Sequence, residues 1–139
     1  MQSISAVKIL SHNDVGLTNS HQAGFLIPKT LIKSGLFPML STKEQNPRIR
    51  IKIVEPESGY EFYLNYIYYN NKFHGGTRNE YRLTGLSSFI REKGLKAGDG
   101  INLTLVDNRY YELRIIYAER KPKVLTQQSW QLIYGGSHE

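Results

Sequence analysis

The sequence predicts a mainly β domain, a barrel or a sandwich with two short helices. Three observations carry this reading. Short runs of alternating, β-branched or aromatic residues recur at even spacing along the chain. Helix signals are few and brief. No strand–helix–strand rhythm of a parallel sheet is visible.

The elements follow in order. Ser5–Leu10 and Ala23–Ile27 are the first two strand candidates. Pro28–Lys33 reads as a short helix, with proline near its start and Gly35 beyond its end. Arg48-Ile49-Arg50-Ile51-Lys52-Ile53 alternates strictly, isoleucine against cation, which is a half-buried strand with a basic outer face. Tyr60–Tyr69 is almost wholly aromatic or β-branched and suits a strand with bulky side chains on both faces. Ser87–Lys93 is a second short helix, with serines at its start and Gly94 at its end. Ile101–Leu105 and Tyr111–Tyr117 alternate again, and Asp107-Asn108-Arg109 between them reads as a hairpin turn. Residues 121–128 lead to a last strand, Trp130–Tyr134, and residues 135–139 form a tail without a role. The total is about seven or eight strands.

The chain has 139 residues, which fits one domain. Hydrophobic residues make up 40% and charged residues 22%, the balance of a folded protein with its own core. Cysteine is absent, which removes disulfide frameworks, thiolate zinc sites and cysteine nucleophiles. No apolar run approaches the ~18 residues of a membrane helix, and Met1-Gln2-Ser3-Ile4 does not open a signal peptide. The expectation is a cytoplasmic protein with no membrane partner. Eighteen Lys and Arg against twelve Asp and Glu leave a formal charge of +6, which makes the domain a candidate for polyanion binding, with a merely soluble basic protein as the equal alternative on charge alone.

Two segments carry more chemistry than a connecting loop needs. Ser11–Gln22 is rich in hydrogen-bonding side chains and poor in charge. Asn70–Arg82 gathers amides, cations, a carboxylate, a histidine and aromatics. Such mixtures suit the edges of base pairs. Arginine can give two hydrogen bonds to guanine, asparagine or glutamine two to adenine, and glutamate can accept from cytosine. Arg78, Glu80 and Arg82 alternate, so on an extended strand all three point the same way. Donor fork, acceptor and donor fork then match a run of G and C edges. Asn79 and Tyr81 face the other way, towards core, backbone or phosphate, and Lys72 and Thr77 fit phosphate positioning. An exposed strand with a cross-strand ion pair would show the same alternation. Loop hydrogen bonding would account equally for His21 and Gln22. The Tyr60–Tyr69 run reads as core, with base stacking by a single-strand binder as the alternative.

Catalytic signals are weak. Glu119-Arg120-Lys121, with Asp107 upstream, resembles part of a magnesium-nuclease triplet, but the proline–aspartate element is missing. Histidines 12, 21, 74 and 138 have no metal-ligand spacing. Neither a nucleophile elbow nor a Gly-rich phosphate loop before a helix is present.

The stretch His12-Asn13-Asp14-Val15-Gly16, then His21–Pro28, resembles the N-terminal recognition domains of EcoRII-type restriction endonucleases. So does Ile67–Asn71, then Phe73-His74-Gly75, then Thr77–Thr84, with Leu36-Phe37-Pro38 and Asn46-Pro47 matching in type and order. Leu86 to Ile90 and Leu95-Lys96-Ala97-Gly98-Asp99 are similar to the plant B-three DNA-binding domain of the same superfamily. The likeness implies an open seven-stranded DNA-binding pseudobarrel over residues 1–134, gripping the major groove with two arms. It implies an N-arm at Asp14–Gln22 and a C-arm at Lys72–Arg82. Arg78, Glu80 and Arg82 would read base edges, joined by His21 and Gln22. Lys29, Lys72, Thr77 and Asn79 would lie nearer phosphate, and Asp14, Thr18, Asn19, Ser20, His74 and Tyr81 complete the implied interface. Tyr81 stands where the EcoRII-type motif carries lysine, and Asn19-Ser20 where it carries glycines.

The implied function is sequence-specific recognition of double-stranded DNA at a short GC-rich, CCWGG-like site by a monomer. The chain would have no catalysis and no cofactor of its own. A covalently linked nuclease domain, using Mg²⁺, would sit elsewhere in a bacterial restriction enzyme. A B-three transcription factor, a Mg²⁺-dependent nuclease and a single-strand binder are the competing readings.

Overall fold

The computed structural model describes residues 3–15, 24–118 and 130–134. Among them are eight strands: β1 (Ile4–Ile9), β2 (Phe25–Ile27), β3 (Arg48–Glu55), β4 (Tyr60–Tyr69), β5 (Glu80–Thr84), β6 (Gly100–Val106), β7 (Tyr110–Ile116) and β8 (Trp130–Tyr134). Two helices interrupt them, α1 (Lys29–Lys33) and α2 (Ser87–Glu92). The family likeness implied seven strands, and the described residues form eight. The strands form one sheet in the order β2-β5-β4-β3-β7-β6-β1-β8. Every pairing is antiparallel except β3 with β7.

This sheet curls. Phe25 and Trp130 belong to opposite ends of the strand order, yet their rings meet edge to face with centroids 6.4 Å apart. The two edges therefore approach each other as in an open barrel. On β3 the expected alternation holds from Ile51 inward, with Ile51 and Ile53 buried, but Ile49 is exposed. The reason is topological: β3 pairs with β7 only at Ile53 and Val54, so its first half has no cover on that side. The β6–β7 hairpin forms where the polar link stands. Asp107 and Asn108 take left-handed backbone (φ 53° and 55°), and the Arg109 N–H closes on the Val106 carbonyl at 2.9 Å.

Both helices are too short to hold by propensity and are held by packing. Leu31 anchors α1, and Phe89 and Ile90 anchor α2, with Phe89 stacked on Phe62 of β4 at 5.2 Å. Glu55, at the end of β3, is buried and accepts from Lys93 at 2.9 Å and Ser58 at 2.8 Å, which ties α2 to the β3–β4 turn.

The tyrosine-rich β4 is core, not a stacking platform for bases, along its inner face. Phe37 lies between Tyr66 (5.2 Å) and Tyr111 (5.3 Å), Tyr66 reaches Tyr81 at 5.4 Å, and Tyr81 lies flat on Tyr68 at 4.1 Å. Burial pushes the Tyr66, Tyr68 and Tyr111 hydroxyls above the usual phenol range, so they remain donors. Tyr66 donates to the Pro38 carbonyl at 2.8 Å and Tyr111 to the Leu36 carbonyl at 2.6 Å. The Tyr81 oxygen accepts from the Leu40 N–H at 3.1 Å. The aromatic stack thus fixes the 36–40 segment. Tyr111→Phe leaves the buried Leu36 carbonyl without its donor and should cost about 1–3 kcal/mol in urea denaturation. A loss below about 0.5 kcal/mol would contradict this role.

Candidate nucleic-acid interface

The β4–β5 connection is the segment expected as the C-arm. Its root is Asn70, fully buried, whose side-chain amide donates to the carbonyls of Ser41 (3.1 Å) and Glu44 (2.8 Å) while its oxygen accepts from the Asn46 N–H (2.8 Å). A 3-10 turn, Asn71–His74, follows and closes on Gly75 at φ 90°. The Lys72 N–H bonds back to the Arg78 carbonyl at 2.8 Å, and the His74 ring contacts the Thr42 carbonyl at 3.0 Å. Lys72, His74 and Thr77 are exposed on this arm, and so is Phe73 beside Lys72.

Beyond the arm the chain straightens into β5, and the alternation has the expected result. Arg78, Glu80 and Arg82 share one face. A single carboxylate oxygen, Glu80 Oε2, accepts from Arg78 Nε (3.1 Å), Arg78 Nη2 (2.9 Å) and Arg82 Nε (3.0 Å). The ion pairs therefore run along one strand and not across two. Partial desolvation works to raise the Glu80 pKa. The hydrogen bonds and charges of Arg82 and Arg78 outweigh it, so the carboxyl sits below its usual range and stays ionised.

Each guanidinium has a second fixing. Arg78 lies over the Tyr69 ring with 3.9 Å to the centroid, and Arg82 Nη1 donates to the Gly24 carbonyl at 3.1 Å. Among the described residues, Glu80 Oε1, Arg78 Nη1 and Arg82 Nη2 keep no such bond. Two oriented cations and one oriented acceptor, each with unsatisfied capacity, are thus presented together. Gly24 is required where the first loop returns: a Cβ there would stand 2.5 Å from the Leu83 carbonyl oxygen, and its φ is +75°.

Three expected interface residues have partners within the chain. Tyr81 is buried in the aromatic stack, which corrects its assignment to the interface. Asn79 is half-buried and faces inward as its parity requires, with its oxygen accepting from the Tyr68 hydroxyl at 2.6 Å. Asp14 anchors the first loop: its carboxylate meets Lys8 Nζ at 2.8 Å and the Ser11 N–H at 2.9 Å, with side chains only 7% and 2% exposed. Lys29 is exposed on the first turn of α1. Thr18, Asn19, Ser20, His21 and Gln22 lie outside the described residues, as do Glu119-Arg120-Lys121 and the tail.

Sequence reasoning missed the Tyr69 platform, the Asn70 root and the Lys8–Asp14 pair. The parity of Tyr69 against the inward Tyr68 was the available signal for the first. The other two depend on contacts between separate segments. Among the described residues, no three histidine, aspartate or glutamate side chains gather as a metal cluster, and no helix is long and apolar enough to cross a membrane.

Residues 2–93 match the family model "Restriction endonuclease EcoRII, N-terminal". The type II restriction enzyme EcoRII of Escherichia coli is 39% identical over 80 residues, which is 56% of this chain and 20% of the enzyme. The chain thus matches about a fifth of that enzyme's length. Among solved structures, the Arabidopsis FUS3–DNA complex superposes with a TM-score of 0.60 at 22% identity, over 81% of this chain and 96% of that one. The B3 domain of the restriction endonuclease UbaLAI, solved with cognate DNA, gives 0.59 at 14% identity, over 96% and 86%. These likenesses give the fold, the B3-type open barrel. With a family model spanning most of its length, this chain belongs to the family of EcoRII N-terminal domains.

Proposed function

We propose that residues 1–134 form a sequence-specific, double-stranded-DNA recognition domain of a restriction endonuclease. The observation that carries this is the Arg78–Glu80–Arg82 array, with both guanidiniums and the carboxylate preset on one strand face. Preset forks lose little freedom when they meet a base edge, so they discriminate. The array offers donor, acceptor and donor, which suits the G and C positions of a CCWGG-like site. The C-arm cation Lys72 and the hydroxyl of Thr77 suit the adjoining phosphates. Family membership and the fold shared with the two DNA-bound neighbours support the same reading.

In this reading the cutting chemistry and its Mg²⁺ belong to a linked nuclease domain, and this segment binds as a monomer without cleaving. A selection from randomised duplexes tests it. The expected result is one enriched GC-rich motif, bound about 10³-fold or more above random duplex, with plasmid left intact in Mg²⁺. An unenriched pool, preference for single strands, or plasmid cleavage would overturn it.

A further inference from the structure

The face that carries Arg78, Glu80 and Arg82 does not end at β5. Cross-strand partners share a face of a sheet. Arg82 stands opposite Ile67, and Ile67 opposite Arg48. Thr84 stands opposite Asn65, and Asn65 opposite Arg50. The cations of β3 therefore lie on the same face as the array on β5, two strand spacings away, or about 10 Å.

Three features single them out. Arg48 and Arg50 are exposed and meet no carboxylate among the described residues, whereas Lys52 is already paired with Glu61 at 3.3 Å. Arg50 is held over the Tyr63 ring at 4.4 Å, which orients its guanidinium outward. Because β3 leaves β7 above Ile53, a groove of about 560 Å³ opens beside it, with Arg50 on one wall and the exposed Arg109 of the β6–β7 hairpin on another. Charge then reverses along the strand. Val54 is flanked in its cross-strand row by Glu61 and Glu112, and Glu57 follows. The basic surface is thus bounded, and it is continuous with the array on one side only.

We infer that Arg48 and Arg50, with Arg109 across the groove, form a phosphate-tracking surface for the same duplex. This rests on the DNA-reading role of β5 proposed above. With β5 against base edges in a groove about 12 Å wide, a row displaced by about 10 Å falls on the sugar–phosphate wall. Guanidiniums there would neutralise phosphates without reading bases.

The test compares the wild-type chain with R48Q/R50Q and with R109Q, titrating the selected duplex and a scrambled one from 50 to 300 mM salt. Glutamine keeps the stems, and thermal melting checks folding. The expected result is a salt slope lower by roughly two for the double variant and roughly one for R109Q. The ratio between the two duplexes should hold within about twofold. An unchanged slope in folded variants, with wild-type preference intact, would overturn the phosphate role and leave the β5 reading standing. Loss of preference with unchanged slope would make these arginines base readers and would equally overturn it. A wild-type chain that shows no preference would sink both.

Discussion

Asp14→Ala is expected to destabilise the domain by about 3–5 kcal/mol, because it strands the Lys8 ammonium in a nearly dry site. Among the described residues, Lys8 Nζ has few other partners: the Ile9 carbonyl at 3.3 Å and the face of Phe25 at 5.3 Å. Neither offsets a buried charge. The Ser11 N–H would lose its acceptor as well, so the start of the first loop would come loose with the pair. Melting temperature should fall by about 10–20 °C for a domain of this size. The double variant Lys8→Met, Asp14→Leu removes both charges and should recover most of the loss, since replacing a whole buried pair is far cheaper than breaking it. Calorimetry of the three proteins decides the matter. A single variant within about 1 kcal/mol of wild type would show that the pair is solvated and not an anchor.

Glu80→Ala should have the largest effect on recognition. Its Oε2 is the common acceptor of both guanidiniums, so among the described residues its loss leaves Arg78 held only by Tyr69 and Arg82 only by the Gly24 carbonyl. Preference should relax at more than one base pair, by about 1–3 kcal/mol each, or roughly five- to 150-fold. Affinity for random duplex should rise, because a negative charge leaves a surface facing phosphates. Arg78→Ala and Glu80→Ala should be non-additive, as residues of one network are. Competition binding against a panel of single-base variants measures all of this. Equal weakening on every duplex would deny Glu80 any part in specificity.

Much of the fold was legible because period-two alternation is a local property. Trp130–Tyr134 and the β6–β7 hairpin stand where their residues place them, and both helices lie within about one residue of their proline, serine and glycine signals. The 3-10 turn at Asn71–His74 was not legible, since its geometry is imposed by Asn70 bonding across to residues 41–46. The site was half legible. Parity alone put Arg78, Glu80 and Arg82 on one face and turned Asn79 and Tyr81 away. That Tyr81 is core and Asp14 an anchor depends on Tyr68 and Lys8, partners that spacing cannot supply. The basic face of β3 was visible as a pattern, but its alignment with β5 exists only through the register of β4.

In the proposed readout the outward face of β5 meets the bases. Arginine side-chain NMR tests it most directly, by following the Nε–Hε signals through titration with the selected duplex. Those of Arg78 and Arg82 should shift and become protected from exchange with the selected duplex, and far less with a scrambled one. If both signals stay put while the domain binds its preferred duplex tightly, the readout lies elsewhere on the barrel and the account is wrong.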